Sequence, residues 1–410
     1  MSPWEMFSRQ INNSIMKLGI VIPALNEEQS IESIILRTHD AKKYIIENGH
    51  VTSVDIVVVS DGSTDNTVKI ASAQSDKANL IVFEKNRGYG AAIKAGWDSM
   101  PDADLLGFID ADGTCEPKFF ADLCAMAVTE NADVTLGSRL NKKSEMPLIR
   151  RVGNTIFSIM LSLVANQRVK DTASGMRVIK RSALDEIMPL PDGLNFTPAI
   201  SARAILCGTL KIAEKDMPYS EREGESKLSV WKDGKRFLAV ILENIFLYVP
   251  FRIYNIVAMV FLLAALLLML TPILFYLPRH YLEDWMLYRF VVSDVFGLIG
   301  ILLLSMSSLS RNVVYATLQS KKERKKTLVY YIFEHPFAIF LSLFFFLVGT
   351  LLVFNSVWHR LLTGNTDEHW SRYITMIFFY VAGTIVLLTF FANKVLILVR
   401  ERVSYLNSRK

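Results

Sequence analysis

The sequence predicts an α/β domain built on a mainly parallel sheet, followed by an all-α transmembrane bundle of four helices. Three observations carry that expectation. Apolar, β-rich runs alternate with helical patterns over roughly the first 140 residues, an order that calls for crossover connections. Four stretches of about 20 residues or more, almost free of charge, fall in the remainder and are long enough to span a hydrocarbon core. Charge divides the same way: residues 1–250 carry 29 basic and 32 acidic side chains, and residues 251–410 carry 16 and 8.

The formal net charge of +5 and pI of about 8.9 therefore belong to the second half, and no nucleic-acid partner is expected. With 51% hydrophobic and 11% aromatic residues against 21% charged, a disordered chain and a single soluble domain are both excluded. Cys115, Cys124 and Cys207 lie far apart without a C-x-x-C spacing and read as plain thiols, fitting neither a zinc site nor a disulfide framework. Residues 1–16 form an N-terminal extension in which Glu5 and Arg9 interrupt Trp4, Phe7, Ile11 and Ile15. It has no signal-peptide core, and the domain after it is expected to stay cytoplasmic.

Residues 17–232 are expected to form that domain, with strands at 18–23, 54–60, 80–83, 105–109 and 134–136. Helices are expected between them at 30–48, 65–75, 91–99 and 117–129. In open parallel sheets ligands bind beyond the carboxyl ends of the strands. Polar residues crowd there: Asn26, Glu27 and Glu28 after the first strand, Ser60 to Asp65 after the second, and Asn86-Arg87-Gly88-Tyr89-Gly90 after the third. Gly88 and Gly90 at a helix start are expected to offer amides to a phosphate, although Ile93 excludes the dinucleotide fingerprint. The fourth strand ends in Asp110-Ala111-Asp112, a carboxylate pair suited to Mg²⁺ or Mn²⁺. With 20 Asp in 410 residues, a D-x-D arises about once by chance. Asp102-Ala103-Asp104 is such a case, because it precedes its strand.

Residues 233–250 read as an interfacial amphipathic helix, 251–400 as the membrane domain and 401–410 as a tail. Spans are expected at about 253–277, 290–309, 336–357 and 373–393. The loop between the second and third carries Arg311, Lys321, Lys322, Arg324, Lys325 and Lys326, against two basic residues in each outer loop. The positive-inside rule makes that loop, the N-terminal domain and both termini cytoplasmic. Trp285, Trp358 and Trp370 are expected as interfacial anchors, as are Asp294 and Lys394 near helix ends.

Taken in order, Val21-Ile22-Pro23-Ala24-Leu25-Asn26-Glu27-Glu28, Ser60-Asp61-Gly62-Ser63-Thr64-Asp65, Asn86-Arg87-Gly88 and Asp110-Ala111-Asp112 resemble the motifs of family 2 glycosyltransferases with the GT-A fold. Farther on, Gly137-Ser138-Arg139, Arg150-Arg151, Asp171 to Arg177 and Arg222 to Ser229 resemble the polyprenol-phosphate branch, which includes dolichyl-phosphate mannosyltransferase and bactoprenol glucosyltransferases. The likeness covers residues 17–250. It implies a nucleotide-sugar donor held by Pro23, Ala24, Asn26, Glu27, Asp61, Arg87, Gly88, Asp110, Ala111 and Asp112, with Arg222 and Lys227 on a closing segment. It implies Mg²⁺ or Mn²⁺ on Asp110 and Asp112. Two positions depart from the family pattern: Thr114 stands where a Gln assists the metal, and Ser60 replaces the first Asp of D-D-G-S.

A hydroxyl acceptor needs a general base, whereas a lipid phosphate is already an anion and needs cations to hold it. Ser138, Arg139, Arg151, Ser174 and Arg177 are the expected acceptor-phosphate residues. Asp112, Arg139 and Asp171 are the expected catalytic set, with Asp171 as base or orienting group. The segment 148–165 is expected in the membrane interface. The function expected is inverting transfer of a monosaccharide from a UDP- or GDP-sugar to polyprenyl or dolichyl phosphate. Membrane lipids are expected partners, and a homo-oligomer is left open. A processive polysaccharide synthase is the nearest alternative, and it lacks support because no Trp follows an Arg as in Q-x-x-R-W. A lipid-binding or flipping protein with a dead transferase domain is opposed by intact Asp61, Asp110 and Asp112.

Overall fold

A computed structural model describes residues 16–141, 144–165, 167–220, 230–318, 326–364 and 369–407. The chain divides into two compact units, residues 1–246 and 247–410.

The first unit is organised by β1 (Lys17–Ala24), β2 (Ser53–Asp61), β3 (Asn79–Phe83), β4 (Leu105–Ile109), β5 (Val134–Ser138), β6 (Met176–Lys180) and β7 (Ile212–Asp216). They form one sheet in the order β3-β2-β1-β4-β6-β5-β7. β1 and β2 pair in parallel from Lys17 opposite Ser53 to Ala24 opposite Ser60. Both are near-continuous apolar runs, as strands covered on both faces must be. α1 (Ile31–Asn48) buries Ile31, Ile34, Ile35, Thr38, Ala41 and Ile45, a single stripe at helical spacing. α2 (Thr67–Ser72), α3 (Tyr89–Asp98) and α4 (Phe120–Thr129) complete the crossovers expected from the sequence.

Two strands lie beyond those expected. β6 runs antiparallel to both β4 and β5, and β7 pairs in parallel with β5. The reversal has a functional consequence. Because β6 enters the sheet from the edge where β4 and β5 leave it, the segment preceding β6 stands beside Asp110 and Arg139.

Behind that edge, Trp97 is 1% exposed and packs against Phe108 and Phe196, with ring centroids 6.2 and 5.7 Å apart. Its Nε1 donates to Gly107 O at 3.2 Å. Tyr89 packs edge-on against the same two phenyl rings, so the cluster fixes a hydroxyl at the site. The rest of the unit contains α5 (Leu148–Val164), α6 (Leu184–Ile187) and α7 (Phe196–Leu206), and α8 (Val230–Tyr248) begins in it.

The second unit contains α9 (Pro250–Arg279), α10 (Leu287–Thr317), α11 (Leu328–Phe333), α12 (Phe337–Thr363) and α13 (Trp370–Asn407). α9, α10, α12 and α13 include four spans long and apolar enough to cross a membrane. Their outer faces are apolar, and a polar seam runs between them. Ser305 and Thr389 share a hydrogen bond at 2.7 Å, and Asn312 Nδ2 donates to Asn393 Oδ1 at 2.5 Å. Asn393 in turn donates to Ser308 Oγ and Phe333 O. Arg311 differs from its expected role as a loop cation: it is 7% exposed and donates to Glu334 at 3.0 Å and to Thr327 at 2.7 Å. Lys394 is exposed, with Nζ 5.7 Å from the Phe390 ring centroid. Of the expected loop cations, Lys321 to Lys325 lie outside the described residues.

Replacing Trp97 by Ala removes the centre of the aromatic cluster and should cost the first unit about 3–5 kcal/mol. The expected reading is a lowered thermal midpoint of the full chain in detergent; an unchanged midpoint would show that the cluster does not support the fold.

Candidate active site

The loops beyond β1 to β5 open onto a cavity of about 510 Å³, with Asn86, Gly88 and Tyr89 after β3 in its lining. After β1 it is lined by Pro23, Ala24, Leu25 and Glu27. Asn26 is not part of the lining. Its Oδ1 accepts from the Thr64 amide at 2.7 Å and its own amide donates to Ser63 Oγ at 3.1 Å, so it ties the first loop to the second. Asp61, 3% exposed at the end of β2, lines the cavity and accepts from the amides of Arg87 and Gly88 at 2.6 and 2.9 Å. The two turns close tightly. Gly62 has φ +72, and a Cβ there would stand 2.4 Å from the Asn86 nitrogen.

These contacts overturn the expected phosphate cradle. The Gly88 amide is taken by Asp61, and the amides of Gly90 and Ala91 donate to Asp192 O at 2.6 and 3.2 Å. Glycine is required for a different reason, since a Cβ on Gly90 would fall 2.2 Å from Pro191 O. The loop 191–193 packs directly on the helix start. Arg87 is also displaced from its expected place: its exposed guanidinium lies 4.5 Å from the Phe83 ring centroid, outside the lining.

Asp110, Ala111 and Asp112 all line the cavity. A hydroxyl holds one oxygen of each carboxylate: Tyr89 donates to Asp110 Oδ1 at 2.6 Å, and Thr114 donates to Asp112 Oδ1 at 2.7 Å. Thr114 thus orients an acidic residue of the site. The Tyr89 hydroxyl is held well above its ordinary pKa, by burial first and then by the Asp110 charge, so it stays a donor. Gly175, just before β6, leaves room for Asp110; a Cβ there would come 1.8 Å from Oδ2. Two carboxylates in a glycine-lined recess fit a divalent cation that takes its other oxygens from a bound diphosphate. Among the described residues no group of three or more His, Cys, Asp or Glu could hold a metal unaided. The other D-x-D behaves as a turn, with Asp104 Oδ2 accepting from the Lys17 amide.

At the end of β5, Arg139 lines the cavity and meets Asp171 in a forked pair: Nε to Oδ2 at 2.7 Å and Nη2 to Oδ1 at 2.9 Å. Asp171 is fully buried and accepts further from the Arg139 amide and from Asn154 Nδ2. Burial alone would raise its pKa, yet the Arg139 charge and these hydrogen bonds hold it below the ordinary carboxylate value. Burial likewise opposes the charge on Arg139, and Asp171 more than offsets it. A carboxylate so paired is an orienting group. As a base it is poor, which corrects half of the role expected of it.

The remaining acceptor candidates are corrected more strongly. Arg177 is 0% exposed on β6 and donates to Ser174 O, Thr172 O and Ser201 Oγ; burial pushes its pKa down to about 10. Ser174 is buried and donates to Gly137 O, and Ser138 is buried as well. Arg151 donates to the carbonyls of Asn141 and Ser144. None of these four lines the cavity. Arg222 and Lys227 lie outside the described residues.

Several lining residues were not expected from the sequence: Tyr89, Tyr219, Met146, and on α5 Ile149, Arg150, Asn154 and Phe157. Arg236 and Phe237 of α8 join them, and Phe157 and Phe237 pack with centroids 6.3 Å apart. One signal was available, since Asn154 interrupts the inner face of an otherwise amphipathic helix. The cavity therefore has two kinds of wall, one acidic and formed by strand ends, the other formed by two helices that bring apolar Ile149, Phe157 and Phe237 together with Arg150 and Arg236.

The family described as glycosyl transferase family 2 matches residues 19–188. A dolichyl-phosphate hexose transferase of Haloferax volcanii is 31% identical over 235 residues, covering 55% of this chain and 95% of that protein. A low-salt glycan biosynthesis hexosyltransferase of the same organism is 31% identical, covering 55% and 53%. An undecaprenyl-phosphate 4-deoxy-4-formamido-L-arabinose transferase of Yersinia pestis is 28% identical, covering 54% and 65%. The chain thus spans about half the length of the second of these relatives and just under two thirds of the third. Among solved structures, glucosyl-3-phosphoglycerate synthase from Mycobacterium tuberculosis, in complex with Mn²⁺, uridine diphosphate and glucosyl-3-phosphoglycerate, is 21% identical with a TM-score of 0.43, covering 60% of this chain and 85% of that one.

Because the folded-state pKa of Asp171 is depressed, the pair contributes stability that is present above the unfolded value of about 3.9 and is lost as pH falls through the folded one. Thermal midpoints measured from pH 6 down to pH 3 should fall more steeply for the wild type than for Asp171→Asn. Asp171→Asn should also be less stable at pH 7, by about 3–5 kcal/mol, because it leaves Arg139 buried and unpaired. Parallel midpoint curves would contradict the assignment.

Proposed function

We propose that this chain, which belongs to glycosyl transferase family 2, transfers a monosaccharide from a nucleotide sugar to the phosphate of a polyprenyl lipid. The observation that carries the reading is the two-walled cavity. Asp61, Asp110 and Asp112 stand on one side and the apolar residues of α5 and α8 on the other, with Arg139 also in the lining. A nucleoside diphosphate suits the first wall and a lipid tail the second. The names of the Haloferax and Yersinia relatives each join a polyprenyl phosphate to a sugar, which supports the lipid half of the reading.

In this reading Pro23, Ala24, Glu27 and Asp61 contact the nucleoside. Asp110 and Asp112 would hold Mg²⁺ or Mn²⁺, which supplies charge neutralisation on the leaving diphosphate. Tyr89 and Thr114 keep the two carboxylates in place. Arg139 draws the lipid phosphate toward the anomeric carbon through the part of its guanidinium that Asp171, bound to Nε and Nη2, does not take. The phosphate oxygen attacks as the nucleotide leaves, a single in-line displacement that inverts the anomeric centre. An anionic nucleophile needs no proton removed, which agrees with the depressed pKa of Asp171. Positioning and electrostatics supply the acceleration.

The four apolar spans make the chain a multi-pass membrane protein in this reading. The basic residues between the second and third spans argue, by the positive-inside rule, for a catalytic unit on the cytoplasmic side. The apolar face of α5 rests at the lipid surface, within reach of a phosphate whose tail stays in the bilayer.

Purified full-length protein given labelled UDP- and GDP-sugars, polyprenyl phosphate and Mg²⁺ or Mn²⁺ should form a product that extracts into organic solvent. No such product with any donor sinks the reading. Asp112→Ala should abolish transfer while the protein stays folded and membrane-inserted. Gly175→Ala, which forces Asp110 aside, should weaken Mn²⁺ binding about tenfold or more by electron paramagnetic resonance with little change in thermal midpoint; unchanged affinity would place the cation elsewhere.

A further inference from the structure

α5 has two unlike faces. Leu148, Ile149, Val152, Ile156, Ile159 and Leu163 are each more than half exposed. On the inward face, Leu161 is 1% exposed and Asn154 6%. Both ends of the Asn154 amide are engaged: Nδ2 donates to Asp171 Oδ1 at 2.6 Å, and Oδ1 accepts from the Thr172 amide at 3.0 Å and from Thr172 Oγ1 at 2.6 Å. Asp171 Oδ1 is also the oxygen that receives Arg139 Nη2. A second tie runs alongside, since Ser158 Oγ donates to Val169 O at 2.5 Å. The helix that carries the exposed stripe thus grips, from its other side, the segment that orients Arg139.

We infer that Asn154 is a positioning residue, through which the seating of α5 on a lipid bilayer sets the orientation of Arg139 toward the anionic acceptor. This rests on the reading of Arg139 as the acceptor-phosphate residue. The bilayer is the occupant of the apolar face because four spans of the same chain are long and apolar enough to cross one, and α8, which packs against α5 through Phe237 and Phe157, ends at residue 248, two residues before the first of them begins. Buried side chains have discrete arrangements, so a shift of the helix changes the Asp171 contacts as a unit. Seating of the helix and capture of the phosphate become one event, and the active site is organised when the membrane that supplies the acceptor is present.

The test uses the full chain in nanodiscs and in detergent micelles. Asn154→Leu should lower kcat/KM for polyprenyl phosphate about tenfold or more, with the donor KM within about twofold of wild type. In an Arg139→Ala background the same change should cost less than about twofold, because two residues acting through one path are not additive. An additive loss overturns the inference. Wild-type kcat/KM for the acceptor should rise on moving from micelles to nanodiscs, with Asn154→Leu responding much less; equal responses also overturn it. If Asn154→Leu fails to fold, Asn154→Asp keeps the oxygen facing Thr172 while setting a carboxylate against Asp171, and the same outcomes apply. Should the wild type make no lipid-linked product, the substrate reading fails, and hydrogen exchange decides the inference separately. Asn154→Leu should then speed exchange of the Arg139, Thr172 and Ala173 amides about tenfold or more while β1 and β2 keep wild-type rates, and unchanged exchange overturns it.

Discussion

A carboxylate with no solvent exposure must be compensated on every side, and the Arg139 side of the cavity is arranged around that demand at Asp171. It receives the forked guanidinium and the amide of Arg139, the Asn154 side chain and the Ala173 amide. Each donor comes from a different part of the chain: the end of β5, the inner face of α5 and the segment's own turn. Burying such a group is expensive unless all of its capacity is met. Meeting it fixes the relative position of those elements, and Arg139 is left at the cavity with one edge of its guanidinium held from behind.

The reversal of β6 makes this arrangement reachable. Had β6 run parallel to β4, residues 171–175 would have entered at the far edge of the sheet. Running antiparallel, it delivers Asp171 and Gly175 to the edge where β4 and β5 end. Gly175 then stands against Asp110, and Asp171 against Arg139. One short loop therefore serves two groups of the cavity, giving space to Asp110 and a counter-ion to Arg139.

β1, β2, β4 and β5 were legible in the sequence because they are largely apolar and buried, and the edge strand β3 because Leu80 to Phe83 form an unbroken apolar run. β6 and β7 were not: Met176-Arg177-Val178-Ile179-Lys180 and Ile212-Ala213-Glu214-Lys215-Asp216 carry charges that periodicity assigns to loops or helices. Arg177 shows why the acceptor site was only partly legible. Composition marks an arginine in a motif as a phosphate ligand, whereas its carbonyl partners come from residues 172 and 174 and are visible only once the chain has turned. Arg139 lines the cavity, whereas Arg177 does not. The Gly88–Gly90 turn misled for a related reason, since the residues that take its amides, Asp61 and Asp192, lie far away in the chain.

The same distinction bears on the membrane half. Arg311 was counted with the loop cations that set orientation, yet it lies within α10 and is buried against Glu334. Removing it from the count leaves Lys321, Lys322, Arg324, Lys325 and Lys326 in that connection, against two basic residues in each of the others. The asymmetry survives, so the orientation argument does not rest on Arg311. Its partner is what requires it. Glu334 is 4% exposed, accepts from Ser308 as well as Arg311, and lies at the end of α11. In hydrocarbon an unpaired carboxylate would be far costlier than at a protein surface. The pair therefore secures the short helix α11 against α10.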